Sequence, residues 1–149
     1  LTVIGKNPPD DFLLEARRIP ASLHVTGYVP DLAPHFSDSA VIVVPVRSGG
    51  GMRVRILEAF AYGMPVVTTT VGLEGIDAVA DQDVIVEDTS EAFAAAVIQL
   101  LSDPQKQKML SENGRKLAEE KYHWRKALTL MDQVFAQLVT PTAEQNPPG

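Results

Sequence analysis

Within RSGGGMRVRILEAF at 47–60, three consecutive glycines lie between Arg47 and the pair Arg53 and Arg55, and one carboxylate, Glu58, follows inside an apolar run. Glycines let a chain turn through positive φ and let a ligand reach backbone amides directly. A helix beginning just after them, at about 53–62, aims its unpaired N–H groups and positive dipole end at the same space. Arginine adds planar, bidentate recognition of oxyanions. Phosphate or diphosphate matches this set best, and Glu58 stands where it can accept hydrogen bonds from the hydroxyls of an adjoining sugar or ribose. Charge-assisted hydrogen bonds contribute about 1.5–3 kcal/mol each, against about 0.3–1 kcal/mol for the helix dipole, so amide and arginine contacts decide affinity. The same residues also read more plainly as a flexible loop with solvated arginines and a surface acid. Against that, Val54, Ile56, Leu57, Ala59, Phe60 and Ala61 make the helix apolar nearly all round, where an acid is more often functional than decorative.

The elements that must hold this loop form an alternating series. Apolar, β-rich runs occur at 1–5, 23–27, 41–45, 64–70 and 83–88, and helical segments separate the first four. Near-continuous apolar strands alternating with helices predict an α/β fold, a Rossmann-like parallel sheet with helices on both faces. In such a sheet ligands sit beyond the carboxyl ends of the strands, which is where residues 46–52 fall. PPDDFLLEARR at 8–18 opens on prolines and acids and closes on arginines, in agreement with the helix dipole. A shorter helix is expected at 31–39, interrupted early by Pro34. TSEAFAAAVIQLLSD, with Thr89 or Ser90 as N-cap, sets Phe93, Val97, Leu100 and Leu101 on one stripe. Two closing helices follow. The first is expected to break or bend near Asn113 and Gly114, and the second to pack through Trp124, Leu128, Met131, Phe135 and Leu138, with His123 beside Trp124. His24 and His35 read as structural.

A chain of 149 residues suffices for one core without disulfides or metals. The domain is expected over 1–139, with the proline-rich, polar segment 140–149 as a disordered tail. The formal net charge of -6 argues against a nucleic-acid partner. Zero cysteines exclude disulfides and thiolate metal sites, and no metal or other cofactor is expected. No signal-like or membrane-length apolar segment is visible, so a cytoplasmic location is expected. The start at LTVIG, inside an apolar run, suggests a piece of something longer.

The ordered motifs LTVIGKNP, LHVTGYVPDLAPHFSDSAVIVVPV, GGGMRVRILEAFAYGMPVVTTTVGLEGI and the late YHW resemble the C-terminal, nucleotide-sugar-binding domain of retaining group 1 glycosyltransferases with the two-Rossmann-domain (GT-B) architecture. The resemblance runs from Leu1 to about Leu138. It implies a bacterial, cytoplasmic enzyme that takes a nucleotide-diphosphate sugar as donor, needs no metal, and passes the sugar to an acceptor with retention. By position, Thr26, Gly27, Tyr28 and Val29 would flank the base, Gly50, Gly51, Met52, Arg53 and Val54 would hold the diphosphate and donor sugar, and Glu58 would grip the ribose. Tyr28 reads equally well as a half-exposed loop aromatic, and Glu74 as a solvated loop acid. The family's usual pair of glutamates is incomplete, since Gly50 stands where the first would be; a subgroup with Gly-Gly-Gly-x-Arg in this loop shares that departure. No catalytic residue is assigned.

The family's sheet order, 3-2-1-4-5-6, would put an absent first strand between LTVIG and VIVVP. Two repairs are then expected: these strands pair directly, or a second copy of the chain fills the gap as a homodimer. The missing N-terminal acceptor domain is the other implied partner, and the full-length enzyme could associate peripherally with a membrane. Other readings are a non-catalytic nucleotide-binding scaffold and a nucleotide-sugar epimerase of the same architecture.

Overall fold

A computed structural model describes residues 1–139 and divides the chain into two compact units, Leu1–Asp38 and the residues from Ser39 onward. The expected tail lies outside the described residues.

In the first unit, β1 (Thr2–Ile4) pairs in parallel with β2 (His24–Gly27), Thr2 opposite His24 and Val3 opposite Val25, with a register shift before Ile4. The crossover is α1 (Asp10–Arg18), which starts after Pro9, carries Asp10 and Asp11 in its first turn and Arg17 and Arg18 in its last. Each end thus meets charge of the sign its dipole favours. The short α2 (Ala33–Ser37) admits Pro34 because a first-turn residue needs no intrahelical N–H bond. Leu23 and Phe36 supply the buried apolar groups.

In the second unit, β3 (Ile42–Val44), β4 (Val66–Thr68) and β5 (Ile85–Val86) form a parallel sheet in the order β3-β4-β5. The central β4 is buried along its whole length, as a strand flanked on both edges and covered by helices must be. Between β3 and β4 runs α3 (Val54–Ala61), whose Ile56, Ala59 and Phe60 are buried. Beyond β5 come α5 (Ser90–Leu101), capped by Thr89, and α6 (Pro104–Lys121), capped by Asp103. Leu100, Ala96 and Leu110 close over Val67 and Ile85, with Phe93 and Val97 at the margin. Burying a side chain the size of Phe60 or Ile56 contributes roughly 1.5–3 kcal/mol, so these few residues hold the unit together.

Several expectations are corrected. Among the described residues β1 pairs only with β2, and β3 only with β4. The run at 83–88 narrows to the two residues of β5. After β4 comes a short helix, α4 (Thr70–Leu73), capped by the Thr69 hydroxyl, while Glu74 and Gly75 lie in a turn beyond it, in agreement with the loop expected there. Leu101 is exposed, because Ala96 and Leu100 already occupy the buried stripe of α5. Nor does α6 break at Asn113 and Gly114; it runs unbroken for 18 residues. Gly114 is there for close packing, since a Cβ at that position would lie 2.6 Å from Cδ1 of Phe60. The closing helix α7 (Trp124–Val139) forms, yet Trp124 is 80% exposed and Leu128, Met131 and Phe135 are exposed with it. The side chain of Leu138 lies outside the described residues. Tyr122 instead anchors the end of α6, its hydroxyl accepting from the Asp77 N–H at 2.7 Å.

Helix propensity alone would make Gly114→Ala stabilising by up to about 1 kcal/mol. The added methyl meets a ring that is fully buried and cannot yield, and such overpacking costs about 1–3 kcal/mol. Gly114→Ala is therefore expected to lower the midpoint of thermal unfolding by several degrees; a raised midpoint would show that α3 and α6 have slack between them.

Candidate functional site

At the carboxyl end of β3 the chain leaves the sheet through residues 45–52 and re-enters regular structure at α3, with Arg53 as the cap residue. Gly49 and Gly51 take φ of 109° and 88°, values that a residue with a Cβ adopts only under strain. The guanidinium of Arg53 turns back on this loop. Its Nη2 donates to the Gly49 carbonyl at 2.7 Å, and its Nη1 donates to those of Gly50 at 2.8 Å and Gly51 at 3.0 Å. Its Nε is buried and has no acceptor among the described residues. The amide N–H groups of Gly50, Gly51 and Met52 likewise have no protein acceptor among the described residues.

Glu58 lies in the middle of α3, its side chain 37% exposed, and its Oε2 accepts from Arg55 Nη1 at 2.6 Å. The i,i+3 spacing on one helical turn makes that contact. Both partners are solvent-accessible, so the pair contributes about 0–1 kcal/mol and does not lock the carboxylate. Arg47 bonds the Ser90 hydroxyl at 2.6 Å, tying the loop to the start of α5.

The threonine run after β4 supports the loop from beneath. Thr68 donates to the Val44 carbonyl at 3.0 Å, and the Thr69 hydroxyl donates to the Val46 carbonyl while accepting from the Gly72 N–H. Gly75, with φ of 79°, lies against Met52, whose Cβ would be 3.6 Å from a Cβ at that glycine. None of this rack is evident from sequence. The only signal is TTT at a strand's carboxyl end, where hydroxyls can satisfy the carbonyls of a neighbouring strand.

Gly50, Gly51, Met52, Arg53, Val54 and Glu58 thus come together in one loop and helix, with Met52 and Val54 exposed. Thr26, Gly27, Tyr28 and Val29 belong to the first unit, at the carboxyl end of β2. There Gly27 has φ of 71° and its carbonyl accepts from Gly5 N–H at 2.9 Å, and Thr26 donates to the same carbonyl at 3.1 Å. Tyr28 is 66% exposed, with Lys6 Nζ 4.7 Å from its ring centroid. Nothing in the sequence pattern marks Lys6 for this contact. Among the described residues no group of three or more His, Cys, Asp or Glu could hold a metal ion, and no helix is long and apolar enough to cross a membrane.

The sequence profile of glycosyl transferases group 1 matches residues 1–103. No curated protein matches the chain. Sucrose-phosphate synthase from Thermosynechococcus elongatus superposes with a TM-score of 0.78 at 24% identity, over 93% of this chain and 38% of that one. Anabaena HepE in complex with UDP gives 0.78 at 14% identity, over 91% and 40%. The C-terminal domain of a group 1 family glycosyl transferase, LpcC, from Francisella tularensis gives 0.70 at 21% identity, over 83% and 69%. The fold is accordingly the α/β, Rossmann-like fold of GT-B glycosyltransferases, and the chain spans about two fifths of the length of the first two structures.

One titrating group bears on the rack. Asp88 accepts from the Thr70 N–H and hydroxyl, each at 2.8 Å, and these bonds, the backbone one foremost, hold its carboxyl below the usual carboxylate range. A depressed folded-state pKa gives stability that is present above the unfolded value, roughly pH 4, and lost as pH falls through the folded one. Asp88→Asn should therefore lower denaturant stability at pH 7, and the gap to the parent should close below roughly pH 4. A gap independent of pH would mean that the carboxylate's charge plays no part in holding α4.

Proposed function

The chain belongs to the group 1 glycosyltransferases, and on that premise we propose that it is the domain that binds a nucleotide-diphosphate sugar in a retaining enzyme. The observation that carries this reading is the loop after β3. Three successive amides, those of Gly50, Gly51 and Met52, lack protein acceptors among the described residues, the start of α3 follows at once, and Glu58 lies one turn further on. Unpaired main-chain donors at a helix start are matched by a diphosphate, and an accessible carboxylate by a vicinal diol. Oε1 of Glu58 accepts no bond among the described residues, so the ribose can be met without breaking the pair to Arg55.

In this reading Gly50, Gly51, Met52 and Val54 hold the diphosphate and the near side of the donor sugar, and Glu58 holds the ribose. Anabaena HepE was crystallised in complex with UDP, which makes UDP the first nucleotide to try here. During transfer the bond between the anomeric carbon and the diphosphate oxygen breaks, the oxygen of an acceptor hydroxyl takes its place on the same face, and the hydroxyl's proton leaves with the diphosphate. Negative charge collects on the departing diphosphate, where preorganised amides stabilise it most. No metal enters the scheme. The acceptor is bound by a part of the protein outside this chain.

A carboxylate that accepts from two ribose hydroxyls should contribute about 1.5–3 kcal/mol, or 10- to 100-fold in affinity. In the full-length protein, Glu58→Ala is expected to weaken UDP binding by that factor in titration calorimetry and to leave binding of 2′,3′-dideoxy-UDP unchanged. Equal loss for both ligands, or none for either, would remove Glu58 from the ribose.

A further inference from the structure

We propose that Arg53 is a positioning residue that sorts the polar groups of the glycine loop, rather than a direct ligand of the diphosphate. This rests on the nucleotide site proposed above and assigns the arginine a different part in it.

Peptide geometry decides where the loop's polar groups point. No cis peptide bond occurs among the described residues, so the C=O of one residue and the N–H of the next point in opposite directions across each planar link. Arg53 draws the carbonyls of Gly49, Gly50 and Gly51 to itself. The N–H groups of Gly50, Gly51 and Met52 are therefore turned away from the guanidinium. These are amides that have no acceptor among the described residues. A loop left to itself would mix donors and acceptors on each side, and every carbonyl facing an anion would repel it. The clasp removes all three carbonyls from the anion's side together.

Only an arginine fits this task. Gly49 is served from Nη2, and Gly50 and Gly51 from Nη1, so two nitrogens in a fixed planar fork are needed where lysine offers one. The loop in turn needs glycine, since Gly49 and Gly51 reach the required turn through positive φ. Among the described residues the Nε of Arg53 is buried and has no acceptor. The three bonds to the loop carbonyls fix the orientation of the side chain, and they hold it there although an unpaired buried donor is unfavourable. With both Nη atoms engaged, little of the guanidinium remains for a phosphate.

The test compares Arg53→Ala and Arg53→Lys in the full-length protein, with amide hydrogen exchange over 49–54 in the ligand-free state and with binding of UDP and uridine. A clasp predicts that both variants exchange faster across this segment. It also predicts that both lose UDP affinity by about 10- to 100-fold while uridine binding stays within about threefold of the parent. A mere loss of folding would lower both ligands alike and shift exchange throughout the chain. Should the alanine variant not fold, the lysine variant alone decides. Retention of UDP affinity by Arg53→Lys would overturn the proposal, because charge without the fork would then suffice, and so would unchanged exchange over 49–54. A parent protein that binds no UDP would sink the nucleotide site, while the exchange result would still judge the clasp.

Discussion

A carbonyl oxygen cannot face a guanidinium and an anion at once. In the loop after β3 that constraint is met by giving three consecutive carbonyls to Arg53, and what lies on the other side of the chain follows from peptide geometry. The rest of the second unit serves to keep this loop in place. Its start is fixed by the pairing of β3 with β4, and its end by α3, whose Ile56, Ala59 and Phe60 are immobilised in the core.

The support comes from two directions. Hydroxyls of Thr68 and Thr69 occupy the carbonyls of Val44 and Val46, so the last residues before the loop cannot drift from the strand. On the far side, α6 presses on α3 through the contact of Gly114 with the Phe60 ring, and Ser111 donates to the Gly63 carbonyl at the end of the same helix. Small residues at such a crossing let two helix backbones approach, and close approach is what transmits the rigidity of the core to a loop at its edge. A binding loop placed this way gives up little conformational freedom when it meets a ligand.

Much of this is legible in the sequence because it rests on local signals. Apolar runs of strand length alternating with helices are enough for the parallel α/β class, and Thr89 caps its helix as its side chain suggests. The glycine loop and Glu58 are visible from residue type and spacing. What sequence misreads involves partners distant in the chain. Gly114 reads as a helix breaker because its propensity is poor, and the ring it packs against is 54 positions away. Arg53 reads as a free cation because nothing in its spacing shows that its own loop claims it. The threonine rack depends on strand register, which periodicity does not encode. Trp124 reads as a core residue by type, but its surroundings leave it exposed.

The outward amides of Gly50, Gly51 and Met52 are the proposed seat of the diphosphate, and a crystal structure of the full-length protein with UDP bound tests that most directly. The account predicts phosphate oxygens within hydrogen-bond distance of those amides, the ribose diol on Glu58, and Arg53 still holding its three carbonyls. Phosphates lodged elsewhere, or Arg53 released from the loop and turned onto the diphosphate, would contradict it.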